Sequence, residues 1–237
     1  MIFEGALSVK AILESQKRDI NCVYINEKKQ SKDINYILHL CHKNNVKVKR
    51  VSVEIIDELA TGHTHGGILI DAGHRKVEPL DLSHDFYLYL EGIEDPYNIG
   101  GIIRTAAIAG CQTVLLSHRD YSSMENTILK SSAGTSERIN WVVCDEEVKN
   151  LVQLKQAKIK LIAAKRDKKS IPMTQANFKQ PLCLLIGGEK RGLSRTVVEL
   201  SDHFVQIFYP TQIKAALSAA ASAAVLCFEV VKQRMEQ

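Results

Sequence analysis

Asp95-Pro96-Tyr97-Asn98-Ile99-Gly100-Gly101-Ile102-Ile103-Arg104-Thr105-Ala106-Ala107-Ile108-Ala109-Gly110 is the stretch on which the reading of this chain turns. Before it, Phe86-Tyr87-Leu88-Tyr89-Leu90 is an aromatic and apolar run of the kind that forms a buried strand. After it, Thr113-Val114-Leu115-Leu116 reads as another. Between them, Asp-Pro begins a turn, the paired glycines permit close backbone approach, and Ile102 to Ala109 is a compact apolar helix stopped by Gly110. This is a strand–loop–helix–strand unit of the parallel kind. Arg104 is the lone charged residue from Pro96 to Ser117. On so apolar a helix a guanidinium needs a partner, because an unpaired buried charge is very costly. The partner is a structural carboxylate, a phosphate or an anionic substrate.

The chain has 237 residues, enough for one or two domains with a sizeable core. It is 45% hydrophobic and 24% charged, as ordinary soluble domains are, and its net charge of +4 permits a nucleic-acid partner without demanding one. The six cysteines are dispersed, form no Cys-x-x-Cys pair and lie mostly in apolar runs. They read as buried free thiols of a reducing compartment, with neither a disulfide framework nor a zinc site. Glu4, Lys10 and Glu14 interrupt any secretory leader, and the apolar run Ala215 to Phe228 is shorter than the ~20 residues of a membrane span. The expectation is a cytoplasmic protein with no membrane partner.

Residues 1–75 alternate helix and strand signals. Leu7 to Leu13 is a short amphipathic helix, Cys22 to Ile25 a strand, and Ile34, Ile37, Leu38 and Cys41 mark one face of a second helix. Val46 to Val53 reads as a strand, Ile55 to Ala60 as a helical turn or two, and Ile68 to Ile70 as a last strand. In Thr61-Gly62-His63-Thr64-His65-Gly66, the His-x-His pair lacks further ligands at a metal spacing, so a structural or RNA-contacting loop is favoured and no metal is expected. Lys28, Lys29, Lys32, Lys43, Lys47, Lys49 and Arg50 make this region basic, either as a solvated surface or as phosphate contacts. Residues 76–83, with Pro79, read as a linker.

Residues 84–237 form the second domain. After Thr113 to Leu116, the expected elements are a helix over Ser122 to Ser131, a strand at Trp141 to Val143, a helix over Glu146 to Ala157 and a strand at Lys160 to Ala164. Lys165-Arg166-Asp167-Lys168-Lys169 is a charged loop. The apolar strand Leu182 to Ile186 runs into Gly187-Gly188-Glu189-Lys190-Arg191-Gly192, a glycine-rich turn where α/β folds bind ligands. It lacks both the Lys-Ser/Thr end of a phosphate loop and the dinucleotide glycine spacing, which disfavours a nucleotide hydrolase. Glu189 reads equally as a loop carboxylate at a helix N-terminus. Ser194 caps a helix over Thr196 to Leu200, Phe204 to Phe208 is the last strand, and an alanine-rich helix runs from Ala215 through Val231.

Three stretches, in order, resemble motifs of the SpoU family of RNA ribose 2′-O-methyltransferases. They are Asp95 to Gly110, Leu184 to Leu193, and Ala216-Leu217-Ser218 through Phe228-Glu229. The resemblance runs from about Phe86 to the C-terminus. It implies an α/β fold whose C-terminal domain is a SPOUT trefoil knot on a parallel sheet, pairing across a two-fold axis as a homodimer. Residues 1–75, with Gly5 and His65-Gly66-Gly67-Ile68, resemble more loosely the ribosomal-protein-like substrate-binding domain of such enzymes. The implied activity is methyl transfer from S-adenosylmethionine to a ribose 2′-hydroxyl, in ribosomal ahead of transfer RNA.

The resemblance also assigns residues. Arg104 contacts the substrate phosphate and helps activate the hydroxyl, and Asn98 and Glu189 orient Arg104 and the ribose. Gly187, Gly188, Gly192, Ile207, Leu217 and Ser218 hold the cofactor. Lys130 and Ser132, in Lys130-Ser131-Ser132-Ala133-Gly134, lie near the RNA together with Arg104 and His65. The third motif commonly reads Ser-Leu-Asn, so Ser218 offers one donor where an amide offers two donors and an acceptor. Phe208 stands where a proline is common. The alternative reading is an RNA-binding module of the same fold without transferase activity.

Overall fold

The computed structural model describes residues 1–62, 64–144, 147–211 and 215–236, and of Glu147 the backbone alone. His63 of the histidine loop and Glu146, the expected start of a helix, lie outside the described residues. In chain order the first elements are β1 (Ile2–Glu4), α1 (Ala6–Ser15), β2 (Ile20–Asn26), α2 (Lys32–Lys43), β3 (Val48–Val51), α3 (Val53–Leu59) and β4 (Ile68–Ala72). Then come β5 (Phe86–Glu91), α4 (Pro96–Ile108), β6 (Thr113–Leu116), α5 (Glu125–Ser131), β7 (Asn140–Val143), α6 (Glu147–Gln156) and β8 (Lys160–Ala164). The last are β9 (Ile171–Pro172), β10 (Leu182–Gly187), α7 (Arg195–Leu200), β11 (His203–Gln206) and α8 (Ala219–Met235). They gather into two compact units, Met1–Val77 with Tyr121–Arg138, and Glu78–Asp120 with Ile139–Gln237.

In the first unit a four-stranded sheet has the order β1-β4-β2-β3, with β4 antiparallel to β1 and β2, and β2 parallel to β3. The apolar stripe of α1 (Val9, Ile12, Leu13) and that of α2 (Ile34, Ile37, Leu40, Cys41) are buried with Phe3, Val23, Ile25 and Ile70. Ser31 caps α2 by accepting the Ile34 N–H. β3 is shorter than the Val46–Val53 expected, because Val53 already opens α3.

The segment Tyr121–Arg138 belongs to this unit, although the sequence places it in the domain 84–237. Leu129 joins the core, and Gly134 (φ +83) sits where a Cβ would lie 2.8 Å from that of Ala11. Charge holds the segment as well. Arg18, 4% exposed, donates from Nη2 to Glu137 Oε1 at 2.8 Å, pairs with Glu125, and lies 4.5 Å over the Phe3 ring. Arg75 Nη1 stands 3.7 Å from Glu137 and donates to the Ser136 carbonyl at 2.7 Å. These partners are more than a hundred residues from Arg18, so no local pattern announces them.

The second unit is built on a seven-stranded sheet in which every pairing is parallel, in the order β7-β6-β5-β10-β8-β11-β9. Such strands are covered on both faces and read as continuous apolar runs. Accordingly Phe86 to Leu90 and Leu182 to Ile186 are wholly buried. α4 starts earlier than the expected turn and helix. Asp95 accepts the Tyr97 N–H at 3.1 Å as N-cap and Pro96 occupies the first turn, so Asn98 and the paired glycines are helical. α8 starts later than Ala215, at Ala219, because Ser218 caps it by accepting the Ala221 N–H. The last strand ends at Gln206, before Ile207 and Phe208. All six cysteines are buried and free. Among the described residues no helix is long and apolar enough to cross a membrane, and no group of three or more potential ligands could hold a metal.

Removing Arg18 takes away the nearest counter-ion of Glu137, which is fully buried and keeps only the longer Arg75 contact. Arg18→Ala should therefore destabilise the protein by roughly 3–5 kcal/mol, whereas removing an exposed ion pair costs about 1 or less. Urea melts of Arg18→Ala beside Arg195→Ala, whose pair with Glu199 is exposed, check this.

Candidate active site

The candidate site lies at the carboxyl end of the parallel sheet, where open α/β folds leave crevices for ligands. β10 runs out at Gly187 and turns back on itself, with the Gly192 N–H donating to the Gly188 carbonyl at 2.8 Å. The Gly188 N–H donates to the Glu91 carbonyl at 2.7 Å, and the Glu91 carboxylate accepts the Ser194 N–H at 2.8 Å. Glu91, at the end of β5, thus grips the glycine turn at both ends. Ser194 in turn caps α7.

The glycines are steric necessities. A Cβ on Gly187 would lie under 3.0 Å from the Gly192–Leu193 backbone, and one on Gly188 under 3.0 Å from the Gly92 backbone. Glu189 is exposed, and its carboxylate accepts the Ala219 N–H at 3.3 Å, at the positive end of α8. The expected pairing of Glu189 with Arg104 is not seen among the described residues: the helix end takes the carboxylate.

Beside this turn is a cleft of about 190 Å3, lined among others by Ala164, Arg166, Ile207, Tyr209, Leu217 and Leu226. The Leu217 N–H donates to the Tyr209 hydroxyl at 3.1 Å, and the Arg166 guanidinium lies 5.5 Å from the Tyr209 ring centre. Ile207 and Leu217 both line this cleft. Ser218 is next in the chain but its hydroxyl is committed to capping α8. Tyr209 and Glu91 escaped the sequence reading, which took Arg166 only as part of a charged loop, solvated or in contact with phosphate. The one available signal was their position at or just after the ends of strands of a parallel sheet.

Arg104 departs from expectation in its surroundings. It is exposed on α4 and makes no hydrogen bond or ion pair among the described residues. An exposed guanidinium is hydrated and needs no partner for stability. Asn98 is half-buried on the first turn of the same helix, and the six-residue separation is a rise of about 9 Å, so it does not bond Arg104. Lys130, Ser132 and His65 lie in the first unit. Ser132 is 0% exposed, donates to the Leu129 carbonyl and accepts the Ser136 N–H, so it is not an RNA contact. Lys130 is ion-paired with Glu4.

The residues present fit S-adenosylmethionine. Apolar walls suit a flat adenine, and the cations Lys165 and Arg166 suit a carboxylate. The cleft is smaller than the ~300–1,000 Å3 of a whole small-molecule site, so it takes one part of such a molecule.

Two family models match the chain: the SpoU rRNA Methylase family over residues 85–228, and RNA 2′-O ribose methyltransferase substrate binding over residues 2–74. The 23S rRNA (guanosine-2′-O-)-methyltransferase RlmB of Bordetella pertussis is 24% identical over 240 residues, 98% of this chain and 97% of that protein. The SpoU methyltransferase AviRb from Streptomyces viridochromogenes, solved with AdoMet, matches in fold with a TM-score of 0.83 at 22% identity, over 100% of this chain and 91% of that one. The A. aeolicus TrmH/SpoU tRNA modifying enzyme matches with a TM-score of 0.58 at 21% identity, over 64% of this chain and 76% of that one.

Gly188→Ala should force the glycine turn away from β5. A lowered melting temperature together with at least a tenfold loss of S-adenosylmethionine affinity, read by calorimetry well below the melt, is the expected result. Gly101→Ala, which meets nothing within 4 Å, is the control.

Proposed function

This chain belongs to the SpoU rRNA methylase family, and we propose that it methylates a ribose 2′-hydroxyl of ribosomal RNA with S-adenosylmethionine as donor. One observation carries the reading. A steric glycine turn and an apolar cleft stand side by side at the carboxyl end of a parallel sheet, in a chain whose one cation on α4 is exposed and unpaired among the described residues. Ribosomal RNA is the reading because a relative named for 23S rRNA spans 98% of this chain.

When bound, S-adenosylmethionine supplies an electrophilic methyl group on a sulfonium. Ile207 and Leu217 hold its apolar part, with the Gly187–Gly192 backbone beside them. Glu189 fixes the start of α8, and so the loop that carries Leu217. Arg104 acts by its charge and its donors. Its planar fork holds an RNA phosphate and stabilises the negative charge growing on the 2′-oxygen, while the hydroxyl proton passes to water. Asn98 orients the ribose. Residues 1–75, with Lys28, Lys29, Lys32, Lys43, Lys47, Lys49 and Arg50, supply further phosphate contacts. Glu78–Asp120 with Ile139–Gln237 form the catalytic domain, with α8 completing the family's trefoil knot.

The protein works as a homodimer in the cytoplasm. Tyr97 and Ile108 on α4 and Phe228 and Met235 on α8 are large exposed apolar side chains on two helices packed together, a surface that favours a second copy. The buried free cysteines suit a reducing compartment.

Light scattering at micromolar concentration should give twice the chain mass, and a monomer would count against the dimer. Arg104→Ala and Arg104→Lys, at an exposed position, should keep the wild-type melting temperature and cofactor affinity. Transfer of tritiated methyl to ribosomal RNA should fall by about 10²–10⁴-fold in both, because a point charge does not replace the fork. Near-normal transfer by either variant would remove Arg104 from the mechanism, and no transfer by the wild-type protein would leave only an RNA-binding module.

A further inference from the structure

The first unit carries an open recess of about 400 Å3, lined by Asp57, Ala60, Thr61, Gly62 and His65. Its loop is held by a buried carboxylate. Glu4, 2% exposed, accepts the Thr61 N–H at 2.6 Å, the Thr61 hydroxyl at 2.8 Å and the Gly62 N–H at 2.8 Å, and pairs with Lys130. Burial alone would raise the Glu4 pKa, but Lys130 and these donors outweigh it and bring it to about 2. The clamp is therefore anionic at neutral pH, and the Thr61 and Gly62 donors are committed to it.

His65 is fixed in the same manner. Its Nδ1 lies 3.0 Å from the Gly67 N–H, so that nitrogen accepts and the proton is assigned to Nε2. Nε2 lies 3.1 Å from Asp57 Oδ1 and donates to it. Nearby, Lys29 donates to the Gly66 carbonyl. What the described lining residues still offer is chiefly the carboxylate of Asp57, which is 60% exposed; the Thr61 hydroxyl donates to Glu4 and already accepts from the Asn126 amide at 3.3 Å. The recess is thus a set of acceptors without a free cation among its described lining residues. A phosphate there would face the Asp57 carboxylate.

The complementary ligand is a planar edge with adjacent donors. Guanine has one, N1–H beside N2–H2, and it matches both oxygens of a carboxylate. Adenine and cytosine place one amino group beside a ring acceptor, which would face the second carboxylate oxygen. Uracil sets its single N–H between two carbonyls. Unpaired bases are read on such edges in single-stranded RNA. We propose that this recess binds an unpaired guanine of the RNA by its Watson–Crick edge, with Asp57 as the reading group. The inference rests on the assignment of the chain as an RNA methyltransferase and adds a base-reading site to its substrate-binding unit.

The test uses the full chain without cofactor and three labelled uridine octamers carrying one guanine, inosine or adenine, measured by fluorescence anisotropy. The guanine strand should bind about 5- to 150-fold more tightly than the adenine strand, as one bidentate pair gives, with inosine, which lacks the N2 amine, between them. Asp57→Asn turns one acceptor into a donor at an exposed position. It should abolish the guanine preference and leave the salt dependence of uridine binding unchanged, because the phosphates are held elsewhere. Equal affinities for guanine and adenine strands, no measurable binding to either, or a preference retained in Asp57→Asn overturns the proposal. Methyl transfer to ribosomal RNA is scored separately. Transfer without guanine preference sinks the recess alone, and guanine preference without transfer sinks the enzyme reading alone.

Discussion

Two backbones meet at the carboxyl end of the seven-stranded sheet with no room for a side chain, and the second unit is arranged about that meeting. β10 and β5 run in register from Leu182 opposite Phe86 to Gly187 opposite Glu91. At the next residue a Cβ would collide with the Gly92 backbone. The close approach sets the path of the glycine turn, and Glu91 secures it with its carbonyl and its carboxylate. From there the consequences run outward. The turn presents Glu189 to the first N–H of α8, the start of α8 fixes Leu217, and Leu217 with Ile207 walls the cleft. A preorganised wall of this kind lowers the ordering that a ligand must impose on binding.

The first unit solves a different problem. Its core includes Leu129, which comes from a segment far along the chain, and apolar contact alone fixes register weakly. Buried charge adds direction. Glu125 and Glu137 find their counter-ions only when Tyr121–Arg138 sits on α1 and β1 with Arg18 between them. Buried ion pairs add little net stability over an apolar filling, but the mispaired arrangement is strongly disfavoured. Glu4 uses the same principle on a smaller scale, trading water for three loop donors and Lys130.

Much of this was written in the order of residues. Apolar runs of four to six residues gave every long strand of the parallel sheet, since strands buried on both faces have no alternation to disguise them. The cap Ser194 was equally local. Errors fell where two local signals compete. Asp95-Pro96 reads as a turn or as a helix start, and the apolar residues that follow it tip the balance to the helix. Alanines at 215 and 216 favour helix, yet the Ser218 cap sets the boundary three residues later, because a capped start satisfies a donor that alanine leaves open.

The sequence by itself determined the fold class, the glycine turn, the family motifs and the identity of Arg104 as the lone cation of its helix, because each rests on neighbours within a dozen residues. Only the tertiary structure decided that Arg104, on an apolar helix, is exposed and that Ser132, in a polar stretch, is buried. It alone joined Glu189 to Ala219, Arg18 to Glu137 and Asp57 to His65 in the arrangement seen. Hydrogen bonds and ion pairs act over a few ångströms of space without regard to separation along the chain, so their partners are set by packing, which no local pattern records.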